Sequence, residues 1–100
     1  MKMADDALVM EDERVGYDDG TVVAVRILDV PASEKHPDGV KYKFHYGEAG
    51  ADAPIIRFDN HHGPHELHIA GQIFEIEFPG VQKLYRTWRQ ALPPTKRIDW

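Results

Sequence analysis

Cysteine is missing from this 100-residue chain. Disulfides and thiolate metal sites are therefore excluded, and a reducing compartment is the natural setting. No apolar run approaches the roughly 20 residues that a membrane span needs. The opening residues, MKMADDALVMEDE, carry acids where a secretion signal carries bases. Together these absences predict a soluble, cytoplasmic protein. Positive charge is also scarce: 12 Lys and Arg against 17 Asp and Glu leave a net charge of −5. That balance argues against broad, unaided nucleic-acid binding, which depends on neutralising phosphates. Internal repeats, linkers and a second domain are equally lacking, so one domain is expected over 1–100, with 1–7 and 93–100 as tails.

What is present is globular: 42% hydrophobic residues, enough for one core. Charge is uneven along the chain. Asp5, Asp6, Glu11, Asp12, Glu13, Asp18 and Asp19 load the first 20 residues, while Lys83, Arg86, Arg89, Lys96 and Arg97 load the last 22. Either the two ends are solvated surface that attract each other, or the basic end meets an anionic partner.

Hydrophobic periodicity predicts an antiparallel sheet. Leu8 to Tyr17 and Thr21 to Leu28 flank Asp18-Asp19-Gly20; the loop holds two residues or three, and three would set Val15 beside Val23, which packs more sensibly than Val15 opposite Ala24. Residues 29–39 hold two prolines and read as a loop, with His36 on it. Val40, Tyr42, Phe44 and Tyr46 alternate with Lys41, Lys43 and His45, which makes one face core and the other a basic stripe. Ile55 to Asp59 is a short strand. Asn60-His61-His62-Gly63-Pro64 is a turn, because Pro64 disfavours helix at Gly63. His65 to Ala70 and Ile73 to Phe78 form a final hairpin; with Gly71-Gln72 as its turn, His68 would face Glu75 and His65 would face Phe78. Val81, Leu84, Tyr85, Trp88 and Leu92 then place one apolar stripe on a helix that Pro93-Pro94 ends. The expected fold is α+β: about five or six antiparallel strands in hairpins with one C-terminal helix packed on one face.

The joint from Ile55 to Phe78 gathers His61, His62, His65 and His68 with Arg57, Asp59 and Asn60. Three readings compete. A metal site could use neutral imidazoles. His65 and His68 project to opposite faces of a strand, which leaves Asp59, His61, His62 and His65 as ligands for a divalent transition metal. Acid–base chemistry on RNA is the second. His61 or His62 would activate a 2′-hydroxyl, His68 poised by Glu75 would protonate the leaving oxygen, and Arg57 would grip the phosphate. The third is structural: Asp59 and Asn60 shape a turn, and His65 is a satisfied histidine at the edge of the core.

The order of acid-rich strands, a Gly-marked hairpin, Tyr42-Lys43-Phe44-His45-Tyr46, and Phe58-Asp59-Asn60-His61-His62 leading to His65 and His68 resembles the TumE-like toxins of prokaryotic toxin–antitoxin pairs. The resemblance runs over roughly residues 8–92. It implies a growth-inhibiting toxin, a helix-turn-helix antitoxin partner that silences it, ribonuclease-like action on RNA, and functional weight on Asp59, Asn60, His61, His62, His65 and His68. Two other expectations stand beside it. One is a non-catalytic module that docks a protein through Lys83, Arg86, Arg89 and Trp100. The other is a small His-rich metal protein.

Overall fold

Every strand pairs with its neighbour in sequence. The computed structural model describes residues 8–97 and forms a six-stranded antiparallel meander in the order β1 to β6. The strands are β1 (Leu8–Gly16), β2 (Thr21–Asp29), β3 (Val40–Glu48), β4 (Ile56–Asp59), β5 (Glu66–Ile69) and β6 (Gln72–Glu75), followed by helix α1 (Val81–Gln90). The fold is α+β, as the periodicity predicts. Trp100, which one docking expectation uses, lies outside the described residues.

The β1–β2 loop holds three residues, Asp18-Asp19-Gly20. Gly20 takes φ +87°, Tyr17 and Thr21 close the loop through Tyr17 N–H to Thr21 C=O, and Val15 sits opposite Val23. A bulge at Met10 shifts the far end of the pair.

Alternation sorts the side chains into two faces. Val23, Val25, Ile27, Tyr42, Phe44, Tyr46, Ile56 and Phe58 form one side of the core. Helix α1 lies over β3 and β4 and closes it with Leu84, Tyr85 and Trp88. The rings of Tyr85 and Trp88 stand 5.6 and 5.7 Å from that of Phe44. This packing supplies the aromatic contacts that stabilise a half-polar helix in water. Pro79-Gly80 ends the extended chain, with Gly80 at φ 107° as the residue before the helix.

The β5–β6 hairpin departs from expectation. Its turn is Ala70-Gly71, both with positive φ (54° and 76°), not Gly71-Gln72. This mirror-image turn suits the strand twist. Both faces are kept, but every partner moves two residues along. His68 faces Ile73, and Glu66 faces Glu75. Glu75, exposed and opposite Glu66, therefore does not poise His68.

The C-terminal segment is pinned rather than loose as far as Arg97. Residues Pro94–Lys96 form a single 3-10 turn, and Lys96 is buried. Its Nζ donates to Asp19, to Thr21 Oγ1 at 2.7 Å and to the Tyr46 hydroxyl at 3.2 Å. The acidic and basic ends meet at Lys96 and Asp19. The contact holds the Asp19 carboxyl well below the usual carboxylate range, Lys96 being the largest cause and Thr21 the next.

Candidate functional site

The face of the sheet away from α1 is where the polar residues of the joint collect. Cross-strand register aligns Arg26, Lys43, Asp59, Glu66 and Glu75 in one row, on β2 to β6 in turn. The adjacent row holds Ala24, His45, Arg57, His68 and Ile73. This face is thus basic over β2 and β3 and acidic over β5 and β6, and β4 is the boundary.

At that boundary Asp59 is a hub, with its side chain 3% exposed. Arg57 Nε donates to Oδ2 at 2.8 Å, and the backbone N–H of His61 donates to Oδ1 at 3.2 Å. His68 Nε2 stands 3.3 Å from the same Oδ2 and 3.4 Å from Glu66 Oε1. Arg57 and Asp59 point to the same face because they are two apart on one strand. With Nε committed to Asp59, the outer edge of the guanidinium is the part left for a ligand.

Beside the hub runs an open groove of about 420 Å³. Its walls carry four cations, Arg26, Lys41, Lys43 and Arg57, against one carboxylate, Asp59; Leu28, Tyr42 and His61 complete the lining. The Lys41 ammonium, followed by partial desolvation, His62 and Lys35, pushes the His61 imidazole below its ordinary pKa, while Asp59 pulls the other way. Near neutral pH His61 is therefore a proton acceptor. His62 is exposed, its ring centroid 4.8 Å from that of His61 in an edge-on arrangement.

The four histidines do not converge. His65 turns to the core side and stacks on Phe78 with centroids 4.1 Å apart. Its Nε2 lies 3.1 Å from Asp38 Oδ2 and its Nδ1 lies 2.9 Å from the Tyr42 hydroxyl. The tautomer that carries its proton on Nε2 satisfies both contacts, Nε2–H donating to Asp38 and Nδ1 accepting from Tyr42. Burial, aided by Asp59 and Asp38, raises the Tyr42 phenol far above its ordinary value, and it stays protonated. The expected metal set of Asp59, His61, His62 and His65 is thereby broken: alternation and the Phe78 stack carry His65 to the other side. Among the described residues, the trio of potential ligand atoms within 4.8 Å of one another is Asp59, Glu66 and His68.

Asn60, one of the motif residues, is 1% exposed and completes the sheet. Its Oδ1 accepts from Tyr42 N–H at 3.0 Å, and its Nδ2 donates to the Val40 carbonyl at 2.8 Å. It replaces a strand residue where β4 has already ended. Lys83 and Arg86 are exposed on α1.

Arg26, Lys41 and Lys43 are the residues that the histidine-centred reading leaves out. The signal was available: pairing the alternating strand 40–46 with the strands on either side puts Arg26, Lys43 and Arg57 on one face.

A six-stranded meander with a helix on one side and a cation-walled groove on the other defines a small α+β domain built around a basic cleft. The chain belongs to the family described as Toxin TumE, whose family model matches residues 4–93, and its function is of toxin type. No curated protein and no solved structure matches the chain. No helix among the described residues is long and apolar enough to cross a membrane.

Proposed function

We propose that this chain is the toxin of a toxin–antitoxin pair, that it cleaves RNA in the Arg26–Lys41–Lys43–Arg57 groove, and that a helix-turn-helix antitoxin silences it. The carrying observation is the groove itself. On a chain of net charge −5, four cations share one cleft with a neutral imidazole. Such a cleft concentrates phosphate even when the whole molecule repels it.

In this reading, His61 takes the proton of a 2′-hydroxyl, and the 2′-oxygen attacks the adjacent phosphorus. Arg57 and Lys43 stabilise the negative charge that builds on the phosphoryl oxygens. The bond from phosphorus to the 5′-oxygen breaks, and the leaving oxygen takes a proton from the Lys41 ammonium. The products are a 2′,3′-cyclic phosphate and a free 5′-hydroxyl. Asp59 positions Arg57 and, through the His61 backbone N–H, the start of the turn. His68 and Asn60 act on geometry rather than on substrate.

Expression in cells and incubation of purified protein with single-stranded RNA test this together. Wild type should arrest growth and leave cyclic-phosphate ends. His61→Ala should lower the cleavage rate by about 100-fold or more, the scale of a lost general base. Harmless expression of the wild type, or cleavage by His61→Ala at the wild-type rate, would refute the assignment.

A further inference from the structure

The acid half of the sheet face poses a problem that the groove does not answer. Asp59 lies directly across from Glu66, and Glu66 lies directly across from Glu75. Two successive like-charge pairs across adjacent strands are destabilising unless a cation lies among them. Among the described residues, Arg57 pairs with Asp59, through Nε at 2.8 Å.

A second, independent observation lies at the same spot. His68 Nε2 is buried and makes no hydrogen bond, although carboxylate oxygens of Asp59 and Glu66 stand 3.3 and 3.4 Å away. The two separations from His68 match the about 3.3–3.4 Å that tetrahedral zinc, with bonds of about 2.0–2.1 Å, sets between its donors, and the ligand atoms of all three residues lie within 4.8 Å of one another. Octahedral magnesium, at about 2.1 Å, would set neighbouring donors about 3.0 Å apart. Calcium has longer bonds but takes oxygen donors and not imidazole.

We infer that Asp59, Glu66 and His68 form a zinc(II) site on the outer face at β4 and β5. His68 supplies Nε2, Glu66 supplies Oε1, and Asp59 supplies Oδ2, whose other lone pair keeps the Arg57 contact. Three protein donors leave a position for solvent. The ion neutralises the row of acids and locks the carboxylate that orients Arg57 at the groove. This inference stands apart from RNA cleavage, because its observable is zinc binding alone.

The test is calorimetric titration of zinc chloride into untagged protein that has been stripped with a chelator and dialysed. Wild type should bind one zinc per chain with a Kd below about 10 μM. Loss of a ligand should weaken binding more than the roughly 10–100-fold seen for supporting residues, so His68→Ala and Glu66→Gln should each lose at least about 100-fold. Glu66→Gln keeps the side-chain shape and relieves the like-charge pairing, so its loss would not come from unfolding. His62→Ala should bind as wild type does. In nitrogen NMR, the His68 Nε2 resonance should move on adding zinc. Absence of binding by the wild type, undiminished binding by His68→Ala or Glu66→Gln, or loss in His62→Ala would each overturn the assignment.

Discussion

Asn60→Ala separates a structural role from a chemical one in the Asp-Asn pair. Truncation removes both side-chain hydrogen bonds, to Tyr42 N–H at 3.0 Å and to the Val40 carbonyl at 2.8 Å. Tyr42 is 2% exposed, so its N–H is left without water as well as without a partner. A stranded buried donor costs about 1–3 kcal/mol, and the more accessible Val40 carbonyl adds about 1 kcal/mol. The sum is about 2–4 kcal/mol, a large fraction of the roughly 5–15 kcal/mol that holds a domain of this size together. With a urea m-value of about 1.3 kcal/mol/M, the unfolding midpoint should fall by roughly 1.5–3 M at unchanged m. Asn60→Asp should fare no better. It keeps an acceptor for Tyr42 but sets a buried carboxylate against the Val40 carbonyl. Urea unfolding of purified protein, followed by tryptophan fluorescence, reads both variants. A midpoint within 0.3 M of wild type for Asn60→Ala, together with lost growth inhibition, would refute the argument and return Asn60 to the chemistry.

Three further outcomes follow from single contacts. Ala70 sits at φ 54° in a turn whose preferred pair is Asn-Gly; Ala70→Asn should raise stability by about 0.5–1 kcal/mol, measured as a higher urea midpoint. The Asp19 carboxyl is depressed in the folded state by Lys96, so its contribution is fully present above the unfolded value of about 3.9 and is lost as pH falls toward the folded one. The difference in Tm between wild type and Asp19→Asn should accordingly be flat above about pH 5 and shrink below pH 4. In the groove, Lys41→Glu with Lys43→Glu should abolish binding of a short single-stranded RNA near physiological salt. The wild-type salt slope should be about −2 to −3 for three or four phosphates at roughly −0.7 each; an unchanged affinity in the double variant would remove the groove as the RNA site.

Strand alternation and turn chemistry made most of the fold legible. Val40 to Tyr46 alternates cleanly, and Asp-Gly at 19–20 carries the positive φ that its loop uses. The final hairpin was harder because Ala70 adopts a left-handed conformation that alanine rarely takes. Glycine at the first turn position is the ordinary expectation, and that turn displaces each partner by two residues from the pairing found. The site was partly hidden for a different reason. Crowding of histidines along the chain says little about crowding in space once a strand sends neighbours to opposite faces. The cations that line the groove are spread over β2, β3 and β4, from residue 26 to residue 57, and only the cross-strand register brings them together. Lys96 gave no local sign either: its partners Asp19, Thr21 and Tyr46 are distant in sequence.

The two sides of the sheet make opposite demands on two histidines only four residues apart, and that contrast can be measured. His65 is held by a stack on Phe78, by Asp38 and by the Tyr42 hydroxyl. Replacing it with alanine loses an aromatic contact worth about 0.5–1.5 kcal/mol and leaves the Tyr42 hydroxyl without its acceptor, about 1–3 kcal/mol more. His65→Ala should therefore be about 2–4 kcal/mol less stable. Below its melting range, the molecules that stay folded should keep their cleavage rate, since nothing in the groove has moved. His61→Ala should do the reverse: its side chain is exposed, and its hydrogen bond to Asp59 is made by the backbone N–H, which alanine keeps. Stability should be unchanged while cleavage is lost. Measuring Tm and single-turnover cleavage on both proteins places each residue on one axis. If His65→Ala proves stable but inactive, the Asp38–His65–Tyr42 chain belongs to the chemistry, and the groove on the other face is not where RNA is cut.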